Sequence, residues 1–369
     1  MTVARVLSNG VDSLYLSVRG ELKGGILMWV GHMIEMAGEG TEPIPFSFHD
    51  PKEPEFALRR HYGYGYAAWM SSPRYELFFG RDGHFPQAMV QLHSAYIHTV
   101  GVEEAVRDVE TLLRWIIFER VDSVVVSRID LYADTQGWAP KHEDFHRFVC
   151  RAVTRKLYEV PSVLHGRGRE LSGFVFGKDA VVARIYNKSI EMRVRGSTWQ
   201  ELIWEGRDET QPVWRIEFQF RRTGLRSFRL RTIDEVLHVR QALWEYGLAW
   251  LSLRTPSPRT RKDRWPVAPA WQDIRSTWMG SARSTLIRER IRGADGLRLM
   301  RGLVGYATSL AALEDTGALE GVIVSDVPGV RQYLAHRGMG FGEIVEEKEG
   351  RRIEIPAPVP AARPRGDSR

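Results

Sequence analysis

The sequence predicts an α+β protein: a largely antiparallel central sheet with flanking helices, plus a small helical C-terminal region. Three observations carry this. Several segments alternate apolar and polar residues with period two, two of them are joined by a hairpin signal, and the segments between them show helical spacing of three and four. With 369 residues, 43% hydrophobic and 11% aromatic, the chain can bury a sizeable core and is not globally disordered.

Taken in order, residues 11–20 alternate as a first strand should, and 24–37 read as a helix. Residues 74–93 read as two strands around a Gly/Pro turn. The segment 101–120 is the clearest helix, with acidic residues in its first turn where the dipole favours them. Residues 122–134 are β-branched and strand-like, and a helix is expected near 142–156, with Cys150 as a small buried residue on it. Residues 171–191 form a hairpin turning at Gly177-Lys178-Asp179, 212–222 another strand, and 232–252 a long helix.

These elements make one domain over 1–253. The cationic, Pro-rich stretch 254–266 reads as a linker, 267–350 as a small helical region with helices at 282–293, 297–314 and 327–336, and 351–369 as a disordered tail. A single cysteine excludes an intramolecular disulfide framework and a Cys-based zinc site. The N-terminal segment lacks the apolar core of a signal peptide, and the longest apolar patch, 24–38, is too interrupted to span a bilayer. The expectation is a cytoplasmic protein with no membrane partner.

The formal charge is +6 and arginine outnumbers lysine, a balance that favours nucleic acid because the guanidinium fork suits phosphate. Three strands then carry charge at alternate positions in segments otherwise apolar enough for a core. In the first, Arg128, Asp130, Tyr132 and Asp134 face one way while Ile129, Leu131 and Ala133 face the other. In the second, Arg215, Glu217, Gln219 and Arg221 oppose Trp214, Ile216, Phe218 and Phe220. The third places Tyr186 in a row with Arg184 and Lys188.

Solvated strand faces with cross-strand ion pairs would account for any one of these. All three together suit a hard divalent cation, Mg²⁺ or Mn²⁺, held by carboxylates beside a tyrosine. At about 3.3 Å per residue, Asp130 and Asp134 lie roughly 13 Å apart on a straight strand. Asp130 with Glu217 is therefore the more plausible ligand pair, and Asp134 joins only if the strand bends. A phenol of pKa about 10 is a poor nucleophile at neutral pH; neighbouring cations would favour the phenolate. Attack by Tyr186 on a DNA phosphate would leave a phosphotyrosine and a free hydroxyl. No His-hydrophobic-His pair occurs, His93 and His98 read as ordinary polar positions, and no Gly-rich loop ends in Gly-Lys-Ser/Thr, which argues against an NTP motor.

The strings "SRIDLYAD" (127–134), "FGKDAVVARIYNKSIE" (176–191) and "WRIEFQF" (214–220), with "AMVQLHSAYI" (88–97) as weaker support, resemble the replication initiation factor family: rolling-circle plasmid and phage initiators and related relaxases of integrative elements. The resemblance covers roughly residues 8–250. It implies a metal-dependent nicking–joining enzyme with a nickase-like sheet that lacks the paired metal-binding histidines of many nickases. Tyr186 matches the nucleophile, Asp130 and Asp134 the paired aspartates, and Glu217 the acid of the Arg-x-Glu strand. Asn187 stands where members often have Asp, and His93 where Ser is common.

The leading reading is a rolling-circle replication initiator that nicks an origin as single strand, keeps the 5′ phosphate on Tyr186 and leaves a 3′-OH primer. Arg184 and Lys188 would steady the phosphate or the phenolate, and Arg128, Arg215 and Arg221 would contact DNA. A transfer relaxase with the same chemistry is the first alternative. A non-catalytic DNA-binding protein and a structural module with internally paired charges are alternatives of other classes. A helicase and a second copy of the chain stay open as partners.

Overall fold

The computed structural model describes residues 4–281 apart from short stretches within 27–42, 48–54, 64–65, 81–85, 162–168 and 259–260, together with residue 286. The described residues belong to one compact unit, Met1–Arg288. Most of the helix expected at 24–37, those expected at 282–293, 297–314 and 327–336, and the C-terminal tail lie outside the described residues.

Alternation along the chain becomes an eleven-stranded sheet in the order β2-β3-β4-β5-β6-β1-β7-β12-β11-β10-β9. The strands are β1 Arg5–Leu22, β2 Ile44–Phe46, β3 Phe56–Gly63, β4 Tyr66–Ser71, β5 Tyr75–Gly80 and β6 Ala88–Leu92. They continue with β7 Phe118–Gln136, β9 Arg155–Pro161, β10 Arg169–Phe176, β11 Val181–Asn187 and β12 Trp214–Arg221. Every pairing is antiparallel, so the α+β class holds. β8 Phe148–Cys150 and β13 Leu251–Leu253 form a separate two-stranded sheet.

The spine is the pair β1–β7, both much longer than predicted, with register shifts that include one between Val11 and Ser13. There Val11 faces Leu131 and Ser13 faces Asp130, so Asp12 is the extra residue of a β-bulge. A bulge re-aims one side chain and sharpens the twist, and here it delivers an acid to the polar face.

On the opposite face, Ile129, Leu131 and Ala133 of β7 and Ile216, Phe218 and Phe220 of β12 are fully buried, as their alternation predicts. The helix Arg240–Trp250 covers them: Trp244 meets the Phe218 ring edge-on at 5.4 Å. Gly247 permits the approach, because a Cβ there would lie 2.7 Å from Phe218. Each such large apolar side chain removed from water contributes about 1.5–3 kcal/mol, so this face anchors the sheet.

Several helices differ from expectation. The predicted 142–156 helix is only Asp144–Arg147. Phe148 turns into an aromatic cluster with Phe174, Phe176 and Trp271, and its strand pairs with Leu251–Leu253, leaving Cys150 half-buried on β8. Tertiary burial of Phe148 outweighs the local helical spacing. The 101–120 helix runs as Val102–Leu112, closes with a π turn at Leu113–Ile117 and yields to β7. The 232–252 helix divides at Val239 into Ile233–His238 and Arg240–Trp250, the first opened by a Thr232–Glu235 capping box.

The cationic stretch 254–266 loops out and closes on itself through an Arg254–Val267 bridge. The chain then returns to the same core: Trp271 and Ile274 on the helix Pro269–Arg275 are fully buried. Among the described residues no helix is long and apolar enough to cross a membrane.

Candidate catalytic site

β7, β12 and β11 lie side by side, and their register decides which polar residues meet. Tyr186 stands opposite Arg215, which stands opposite Asp134; Arg184 stands opposite Glu217, which stands opposite Tyr132. The three predicted strand faces are thus one surface.

Tyr186 donates its phenolic O–H to Glu217 Oε2 at 3.2 Å. Glu217 Oε1 accepts from Gln219 Nε2 at 2.8 Å and lies 3.5 Å from Arg184 Nη1. Arg184 covers the Tyr186 ring at 5.3 Å and keeps 43% of its side chain exposed, whereas Glu217 keeps 3%. Solvent therefore reaches this site on the Arg184 side.

The cations do not activate the phenol as expected. Burial first, then the charge of Glu217, holds Tyr186 well above its ordinary pKa, and the opposing pull of Arg215 and Arg184 is the weaker. Glu217 is also the largest cause of the raised pKa of Arg184. Tyr186 at rest is a neutral phenol hydrogen-bonded to a carboxylate.

Lys188 is not on the strand. Asn187 ends β11 and caps the helix Lys188–Arg195 by accepting the Ile190 N–H at 3.1 Å. Asp would cap equally well, so Asn187 is structurally at home. Lys188 lies buried with Nζ 2.7 Å from Glu191 and 5.8 Å from the Tyr186 ring centroid.

Behind the tyrosine sits a closed ionic network. Arg215, 1% exposed, donates Nε and Nη2 to the two oxygens of Asp134 at 2.6 and 2.7 Å, and Nη1 to Asp12. Asp134 also accepts Trp204 Nε1–H at 2.8 Å. Asp12 accepts the Ser94 hydroxyl at 2.8 Å. Burial opposes the Asp12 charge, but Arg215 and Lys188, with the Ser94 bond, hold its pKa below the usual carboxylate value. The Arg215 guanidinium lies over the Tyr132 ring at 4.0 Å, and Tyr132 Oη bonds Ser8 Oγ and His98 Nε2. Burial keeps His98 below its ordinary pKa, and its hydrogen bond to Tyr132 ties the helix Ser94–Val100 to the polar face.

Two assignments from the sequence change accordingly. Arg215 was expected to contact DNA, but it is buried and fully occupied by Asp134 and Asp12. Asp134 was a candidate metal ligand, but Arg215 and Trp204 take both its oxygens. Of the other expected DNA contacts, Arg128 bonds Asp130 and lies over the Tyr15 ring at 4.6 Å, and Arg221 donates to Lys178 O and Gln219 Oε1.

Asp130 is held by Arg128 at 2.6 Å and by the Ser13 hydroxyl at 2.8 Å. Burial pushes its pKa up to about 6 against the pull of Arg128, and the charge of Glu217 adds to the rise. Among the described residues no three His, Cys, Asp or Glu side chains are grouped to hold a metal. Asp130 and Glu217 remain as two electrostatically linked carboxylates. A Mg²⁺ ion commonly uses one or two carboxylates and completes its shell with water and substrate phosphate; to hold one here, Asp130 would exchange bonds from Arg128 and Ser13, and Glu217 those from Gln219 and Arg184.

With this geometry in hand, comparison with known proteins adds the following. No family model matches the chain, and no curated protein matches it. Among solved structures it is similar to the rolling circle replication initiator protein from Geobacillus stearothermophilus. That pair has 15% identity and a TM-score of 0.41, over 77% of this chain and 99% of that one. It is also similar to Methanococcus jannaschii TBP at 11% identity and a TM-score of 0.24, over 66% of this chain and 96% of that one. The site rests on its own geometry.

Asp12, Ser94, His98 and Trp204 were not singled out from the sequence. Asp12 reaches the site through the bulge, and Trp204 follows the short turn of helix Trp199–Ile203; only His98 had been weighed, as an ordinary polar position.

Proposed function

We propose that this chain nicks and rejoins a DNA strand through a covalent phosphotyrosine on Tyr186, acting as a rolling-circle replication initiator. One observation carries the reading: the Tyr186 phenol donates to Glu217, a carboxylate it shares with the solvent-reaching Arg184 on the polar face of the central sheet.

In the proposed step Tyr186 Oη attacks the scissile phosphorus, and its proton passes to Glu217 Oε2. The bond from phosphorus to the 3′ oxygen breaks, and that oxygen leaves with a proton from solvent as a 3′ hydroxyl. The 5′ phosphate stays on Tyr186, so the phosphodiester bond energy is kept for rejoining. Arg184 faces the incoming phosphate, and Lys188 adds positive charge beneath the ring. Asp130, with Glu217 through Oε1, would hold a Mg²⁺ or Mn²⁺ ion, which would polarise the phosphate. Arg215 acts at one remove, fixing β7, β12 and the β1 bulge against each other beneath Tyr186.

The test incubates the protein with supercoiled and single-stranded DNA carrying its own origin, with Mg²⁺ or Mn²⁺, and looks for a denaturant-stable protein–DNA adduct. Tyr186→Phe should abolish the adduct; an adduct that persists in that variant sinks the assignment.

A further inference from the structure

A second cationic site lies at the far end of β12. Five arginines fall between 221 and 231: Arg221, Arg222, Arg226, Arg229 and Arg231. The short helix Arg222–Ser227 places Arg222 and Arg226 one turn apart on one face. Gly224 presses that helix onto the β10–β11 turn, since a Cβ there would sit 2.4 Å from Ala180 O. The chain then runs back beside β7, where Val126 N–H donates to Arg231 O at 2.9 Å. Arg19 on β1 stands opposite Ser123 on the same β7.

Two features set this cluster apart from an ordinary solvated turn. Every influence on half-buried Arg222 lowers its pKa: burial first, then the charges of Arg226, Arg231 and Arg19. Arg229 has φ 61°, the one non-glycine residue of positive φ among the described residues. It occupies the left-handed position that closes a helix, where glycine carries no steric cost and other residues pay about 1–2 kcal/mol. Glu235 accepts the backbone N–H groups of Arg231 and Thr232 in the capping box, so its carboxylate is engaged by the main chain. Gathered like charge lowers the stability of a compact state and is relieved by a polyanion.

We propose that Arg19, Arg222, Arg226 and Arg231, with Arg229 beside them, bind backbone phosphates of the duplex flanking the nick. The inference rests on the DNA-processing reading of the Tyr186 site. From Glu217 to Arg222 is five residues of chain, or about 17 Å at roughly 3.3 Å each. That is the length of about five base-pair steps at about 3.4 Å each.

The test compares the full chain with the double variant Arg226→Gln/Arg231→Gln, and with a control double variant at two exposed arginines elsewhere, Arg114→Gln/Arg151→Gln. Binding is read by fluorescence anisotropy on a fluorescein-labelled duplex of random sequence over a salt series. Losing two phosphate contacts should make the slope of log K against log[salt] less steep by about 1.8. The affinity lost between about 50 and about 200 mM salt should then shrink by about 12-fold. The control pair should leave the slope unchanged. Melting temperature should stay at or above wild type, because repulsion on Arg222 is relieved, and adduct formation on a short single-stranded oligonucleotide should be unaltered. An unchanged slope, or an equal change in the control pair, overturns the proposal. If no adduct ever forms but the slope still falls, the Tyr186 reading fails and the patch stands.

Discussion

Asp134→Asn separates a structural carboxylate from a metal ligand. Asp134 is fully buried and makes three short bonds, two from Arg215 and one from Trp204. Removing its charge leaves the buried Arg215 guanidinium with Asp12 alone. Breaking a buried ion pair from one side costs about 3–5 kcal/mol; Asn keeps an acceptor oxygen, which places the expected loss near the lower end. For a unit of this size, each kcal/mol moves Tm by about 2–4 °C, so about 3 kcal/mol is a fall of roughly 6–12 °C. Thermal denaturation in chelator reads this without any metal, and the half-saturating Mn²⁺ concentration for adduct formation is measured on the folded variant below its transition. The network predicts a large fall in Tm and an unchanged Mn²⁺ requirement. A Tm equal to wild type with a strongly raised Mn²⁺ requirement would refute the structural role and restore Asp134 as a ligand. Trp204→Phe, which removes one hydrogen bond, should cost only about 1 kcal/mol.

Three other expectations follow from the same geometry. Gly173 pairs directly with Tyr186, and a Cβ there would lie 2.5 Å from Ile185 O and 2.9 Å from Tyr186 Cβ. Gly173→Ala should therefore cost about 1–3 kcal/mol and slow adduct formation by up to about 100-fold by displacing Tyr186; wild-type rates would show that β11 does not position Tyr186. In metal-free protein, Asp130 keeps its proton up to about pH 6 when folded but loses it near the ordinary carboxylate value of 3.8 when unfolded. Between those values the native state binds more protons, so stability falls as pH rises, by about 3 kcal/mol in total, and is flat above. Denaturant titrations across pH should show this slope in the difference between wild type and Asp130→Asn; no difference in slope would place the Asp130 pKa near that of an ordinary exposed carboxylate. Glu217→Gln removes a charge that holds the Tyr186 phenol above its ordinary pKa. Its phenolate should form at lower pH, read by ultraviolet titration against Tyr186→Phe, even as adduct formation is lost.

The period-two alternation of 128–134 and 214–220 was enough to tell the buried face from the polar one. Ile129, Leu131, Ile216 and Phe218 stand in the core, and Asp130, Glu217 and Arg215 share the other side. The hairpin at Gly177 was legible too, since Gly177 has φ 83° and turns β10 into β11. Lys188 was misplaced because alternation does not reveal where a strand stops; Asn187 ends it by capping the next helix. The helix expected over 142–156 failed because Phe148 finds more burial beside Phe176 and Trp271 than a helix face would offer.

Local backbone geometry made it legible from the residues alone which side chains could share a face. The residues also put a tyrosine and two carboxylates among them. What each charge touches came from the packing of the sheet. Arg215 and Asp134 neutralise one another out of water, Asp12 arrives through a bulge that exists only in the pairing of β1 with β7, and Tyr186 lies beside Glu217. Burial and neighbouring charge set a group's protonation, and both are properties of the packed sheet rather than of any one strand. The chemistry of Tyr186 is therefore written in the register of β11 on β12, not in the residues next to it.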